Sequence, residues 1–149
     1  MYGAVLLFHS YLRWLVLALL VASLARAVKY SIAGTPFSAK ERKLHLATMI
    51  AADTQLLLGL LLLATSPIIS MAASSMPAAM KNPILRFWLV EHPSMMILSL
   101  IAVHLGKMLS AKAPPELGPR KARVWFAVAL LLMLAAIPWP FLRHGRPLL

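Results

Sequence analysis

Four runs of about 20 predominantly apolar residues, each able as a helix to cross a hydrocarbon core about 30 Å thick, dominate this chain. They read as Ala4–Val28, Leu44–Ser66, Leu85–Leu109 and Val124–Leu142. Apolar residues make up 61% of the chain and charged ones 13%, which is not the balance of a water-soluble fold. The expectation is an all-α integral membrane four-helix bundle of up-down topology, a single domain of 149 residues. A bundle this small has little interior beyond its helix seams, so any site lies between helices or at a membrane face.

The formal net charge of +11 would suggest nucleic acid in a soluble protein. Here the basic residues sit in short loops, where positive charge sets membrane orientation, so nucleic acid is discounted as a partner. One loop carries Arg26, Lys29, Lys40, Arg42 and Lys43, and another carries Lys107, Lys112, Arg120, Lys121 and Arg123. Both are expected on the cytoplasmic side of a bacterial inner membrane crossed several times. The opposite side holds only Lys81, Arg86, Arg143 and Arg146, which puts both termini in the periplasm or outside the cell. No basic stretch precedes the first apolar run and no cleavage pattern stands out after it, so it reads as a retained helix. The chain has no cysteine, which excludes disulfides, covalent c-type haem, iron–sulfur clusters and thiolate metal sites, and leaves His and Met as soft ligands.

Local signals mark the ends of the runs. Thr35-Pro36, then Ser38 and Glu41 spaced as a capping box, predict that the second helix starts before the membrane does. The stretch Pro67–Pro83 is rich in Ala, Ser and Met and reads as a surface connection or a short interfacial helix. Pro138-Trp139-Pro140 ends the fourth run with a tryptophan at headgroup depth.

Ionisable groups at membrane depth cost several kcal/mol unless paired or hydrated, so each needs a reason. Counting about 1.5 Å per residue from the periplasmic ends, His9 lies roughly 8 Å deep, Glu91 about 9 Å, His92 about 11 Å and Arg13 about 14 Å. These four form one layer on the first and third runs, where Arg13 has Glu91, or an anionic ligand held by the histidines, as a candidate partner. Asp53 on the second run is deeper, at about 21 Å. His45 and His104 form a second layer at about 33 and 29 Å. Facing histidines on different helices across an apolar interior are what a six-coordinate b-type haem requires, and two such layers would make an electron path across the membrane. Against the second haem, His92 and His104 are twelve residues apart and therefore about 120° apart around an ideal helix.

Plainer readings stand beside these. Buried histidines also serve to hydrogen-bond a neighbouring helix, and His45, near the interface, also reads as solvated. Arg13, Glu91 and Asp53 also read as an ion-pair network fixing helix registry. Met71, Met76 and Met80 have spacing suited to Cu(I), or are flexible apolar filler. Gly59 and Gly106 read as close-packing points between helices.

The segments Phe8-His9-Ser10-Tyr11-Leu12-Arg13-Trp14, Thr54-Gln55-Leu56-Leu57-Leu58-Gly59, Val90-Glu91-His92-Pro93 and Ile137-Pro138-Trp139-Pro140 resemble a family of short bacterial four-span proteins loosely labelled cytochrome b-like. The resemblance covers nearly the whole chain. More distantly, the layout is similar to small bacterial dihaem cytochromes b, although in those about thirteen residues separate two histidines on one helix, against the eleven between His92 and His104 here. The resemblance implies His9 with His92 as one axial pair for haem b and His45 with His104 as a second. Electrons would pass between quinol and a membrane or periplasmic partner. The alternatives are an accessory subunit of a larger membrane complex, which like a homo-oligomer would need a protein partner, and a copper-handling membrane protein.

Overall fold

The computed structural model describes residues 2–145 and is 84% helical, with no strand among them. Arg146 therefore lies outside the described residues. Among the described residues seven α-helices follow in order: α1 (Tyr2–Ala33), α2 (Ala39–Thr65), α3 (Pro67–Ala73), α4 (Met76–Lys81), α5 (Pro83–Arg86), then a π turn (Phe87–Glu91) leading into α6 (His92–Lys112), and α7 (Gly118–Ala136). The four long helices pack in a ring in which α1 touches α2 and α7, and α6 touches α7 and α2.

Three stretches, Tyr2–Ala33, Ala39–Thr65 and Pro83–Lys112, are long and apolar enough to cross a membrane. Only 17%, 17% and 22% of their most apolar windows is buried within the protein, so the greasy surface faces outward and calls for lipid. The fourth expected span fares differently. Its helix starts earlier, at Gly118, and stops at Ala136, six residues before Leu142. From Val124 the apolar helical part covers about 20 Å, short of the roughly 30 Å core. The stop is chemical: Ile137 precedes Pro138 and takes an extended conformation, φ −67° and ψ 131°.

Where α1 ends, Gly34 adopts φ 65° and the Thr35 N–H donates to the Tyr30 carbonyl, 3.2 Å away, closing the helix in a left-handed turn. Ser38 caps α2 as its spacing predicts, accepting from the Lys40 N–H at 3.2 Å. Glu41, however, is turned toward α1, where its buried carboxylate accepts from the Arg26 Nε at 3.0 Å and from the Ser38 hydroxyl. The Pro67–Pro83 stretch resolves into three short helices, each with proline in its first two positions, where a missing N–H costs nothing.

Small residues line the seams. Ala27, Ala52, Ala102, Ala122 and Ala129 are buried, and Gly106 admits the Phe126 ring so closely that a Cβ there would lie 2.6 Å from Cε1. Hydroxyls pin the registry: Ser23 and Thr48 share a buried 2.8 Å bond between α1 and α2, and Ser99 donates to the Ala129 carbonyl at 2.8 Å between α6 and α7.

Candidate functional site

A cavity of about 440 Å³ lies between α1, α2 and α6. Tyr2, Ser66, Trp88 and Pro138 all line it, so the start of α1, the end of α2, the π turn and the residues after α7 meet at one end of the ring. Leu6, Leu56, Leu63, Ile69, Met96 and Leu100 give it apolar walls, and His9, Ser10, Arg13, Gln55 and His92 supply the polar groups. A mostly apolar pocket with a few converging polar side chains is the usual form of a ligand site.

Each histidine is held from a second helix. His9 projects from α1 against Gly59 of α2, where an added Cβ would lie 3.3 Å from the ring Cε1. Gln55, one turn away on α2, donates from its side-chain amide to the His9 carbonyl at 3.0 Å. The His9 Nδ1 is buried and has no hydrogen-bond partner. Arg13, one turn deeper on the same face of α1, is also buried and lies 5.3 Å from the Trp14 ring centroid. His9 is close enough to both Arg13 and His92 to interact with them electrostatically.

His92 is oriented by the end of α7. Its Nδ1 lies 2.7 Å from the Ala136 carbonyl, one of the helix-end carbonyls that no longer has an intrahelical donor. A carbonyl only accepts, so Nδ1 carries the proton and Nε2 is the lone-pair nitrogen. Donation from one ring nitrogen to a backbone carbonyl is also how metal-ligating histidines are commonly fixed. The Ile-Pro-Trp-Pro segment thus does more than end a helix: by stopping α7 at Ala136 it releases the acceptor that aims His92. Trp139 satisfies another such carbonyl, donating from Nε1 to Leu134 at 2.9 Å.

The π turn sets up the same residue from the other side. Pro93 has no N–H to direct at the Leu89 carbonyl, and the preceding turn widens so that the His92 N–H bonds the Phe87 carbonyl five residues back. The turn brings Phe87 and Trp88 around the imidazole, with ring centroids 5.8 and 5.7 Å from it.

The other sequence candidates lie elsewhere. Glu91 is outside the cavity lining and forms a half-exposed ion pair with Arg86 at 2.7 Å, five residues back on its own helical stretch. His45 is buried rather than solvated, its ring between Phe37 and Phe126 with centroids 4.7 and 4.9 Å away. His104 bonds the Leu100 carbonyl through Nδ1 at 3.0 Å and turns Nε2 to Asp53 Oδ1 at 3.4 Å. Asp53 is eight residues beyond His45, about 12 Å along α2, so His45 and His104 take separate surroundings. The winding explains it: α6 is regular from His92 to Lys112, so the two histidines keep their offset of about 120°, one reaching α7 and the other α2. Met71, Met76 and Met80 are exposed on α3 and α4. Among the described residues no group of three or more His, Asp or Glu side chains is placed to hold a metal ion.

One histidine escaped the sequence reading. His144, in the segment after α7, stacks on Phe87 with centroids 3.5 Å apart and planes 16° apart, and its buried Nε2 has no hydrogen-bond partner. It follows the last apolar run, where depth arithmetic has nothing to say.

Comparison with protein-family models, with curated proteins and with solved structures returns no match.

Proposed function

We propose that this chain is a membrane-embedded electron-transfer protein that binds one b-type haem in the cavity between α1, α2 and α6, with His9 and His92 as axial ligands. The observation that carries the reading is that two imidazoles from different helices line one apolar cavity, one of them fixed by a backbone carbonyl so that its second nitrogen is a lone-pair donor. The buried, unbonded Nδ1 of His9 and the close seat its ring finds against the bare backbone of Gly59 fit the same purpose. Bound there, haem would supply one-electron redox chemistry. The protein's part is to hold the imidazoles, exclude water with leucine and isoleucine walls, and offer Arg13 as a cationic partner for an acidic group. A second haem has less in its favour, because His104 is engaged by Asp53 while His45 is enclosed by two phenyl rings.

In this reading α7 is a fourth, short span, both termini lie on the periplasmic side of a bacterial inner membrane, and the basic loops lie in the cytoplasm. Electrons would be exchanged with the quinone pool or with a partner complex. The test is the optical spectrum of the purified protein supplied with haem. A dithionite-reduced b-type band supports the proposal, and a protein that stays colourless overturns it.

Arg13 and Gln55 beside His9 favour one second reading, a quinone headgroup in the same cavity. It predicts tryptophan quenching by a short-chain ubiquinone analogue in haem-free protein, abolished in Trp88→Phe, because Trp88 lines that cavity.

A further inference from the structure

Asp53 and His104 form an acid–base pair near the middle of the bundle, twelve residues from the end of α2, and both side chains are about two-fifths exposed, at 42% and 43%. Neither lines the cavity, so the exposed part faces outward between α2 and α6. Around the pair the surface is largely apolar, with Thr54 beside Asp53 and Lys107 one turn beyond His104 as the polar neighbours. Leu46, Ile50 and Leu57 stand on the Asp53 face of α2, and Ile97, Ile101 and Met108 on the His104 face of α6, all exposed. Both stripes have the same spacing, with the polar residue third of four: 46, 50, 53, 57 and 97, 101, 104, 108. Lipid covers the aliphatic side chains as well as protein would, so they alone ask for nothing. The polar pair does, because acyl chains offer it neither hydration nor a hydrogen bond.

We infer that the α2–α6 face is the contact through which two copies of this chain associate in the membrane, each copy's Asp53–His104 pair covered by the other's. The chemistry selects a second copy. One acid beside one base is self-complementary about a two-fold axis, so Asp53 of one copy meets His104 of the other and the four groups alternate acid and base. The antiparallel course of α2 and α6 then sets Leu57 of one copy against Ile101 of the other. The inference is independent of what the cavity binds.

The chain has no cysteine, so disulfide trapping is free of background. Chains carrying Leu57→Cys and Ile101→Cys, with different tags, are co-expressed and oxidised in native membranes. The expected result is a mixed disulfide dimer, absent when Ile101→Cys is replaced by Leu131→Cys on the exposed face of α7. Adding Asp53→Asn to both chains should reduce the trapped dimer several-fold, with circular dichroism and thermal melting confirming that the variant remains folded. His104→Gln should do the same. Equal trapping at Leu131, an undiminished dimer in folded Asp53→Asn and His104→Gln variants, or capture of a different chain with no self-dimer would each overturn the inference.

Discussion

The His9 imidazole rests against the bare backbone of Gly59, with room for a ring and none to spare for a methyl group: a Cβ there would lie 3.3 Å from Cε1. That contact couples a helix seam to the candidate haem ligand. Gly59→Ala should shift the imidazole by a few tenths of an ångström and lower haem affinity with little loss of helix content. Gly59→Leu should abolish haem binding. Haem titration beside circular dichroism checks both, and full binding by the Leu variant would place His9 outside the ligand set.

Gly106 and Phe126 make a close approach between α6 and α7, and Phe126 is fully buried against His45. Phe126→Ala should cost about 3–5 kcal/mol, as deletion of a buried ring does. Gly106→Ala should also destabilise, because its Cβ would meet Cε1 at 2.6 Å. Combining it with Phe126→Leu should recover part of that loss. Unfolding in mixed micelles measures all three, and strict additivity of the pair would contradict the contact.

Hydroxyl pairs set registry more than they add stability. Ser23→Ala removes the buried bond to Thr48 and should cost about 0.6 kcal/mol, the average for such bonds in membranes, because Thr48 keeps the Leu44 carbonyl at 2.9 Å as acceptor. A loss several times larger would show that Thr48 depends on Ser23.

The Arg26–Glu41 pair behaves differently, since one partner is buried. Arg26→Ala leaves the buried Glu41 carboxylate only neutral donors such as Ser38 and Tyr30 and should lower the melting temperature more than Arg26→Ala combined with Glu41→Gln, because the amide carries no charge to strand. The opposite order would mean that Arg26 contributes packing rather than charge.

These contacts show what a sequence of this kind makes legible. Length and hydropathy gave the helices, and serine and glutamate spacing gave the start of α2, because both signals are local. Depth arithmetic placed His9, Arg13 and His92 in one layer, and all three line the cavity. It failed for His104, counted about 8 Å deeper than Asp53 yet 3.4 Å from it. The count began at Leu85 and assumed a uniform rise, whereas the chain there passes from α5 through a π turn. Glu91 was legible as an ionisable group but not in its partner, because residues five apart do not share a face in a regular α-helix, and the intervening π turn that brings Arg86 to it has no local sequence signal. The role of Ala136 was invisible for another reason: it acts through a carbonyl that matters only because α7 stops there.

The most direct measurement is haem content per chain, by pyridine haemochrome, across His9→Ala, His92→Ala, His45→Ala and His104→Ala. The account predicts one haem in the wild type, loss in the first two variants, and retention in the last two wherever they remain folded. Two haems per chain, or full retention in His92→Ala, would contradict it.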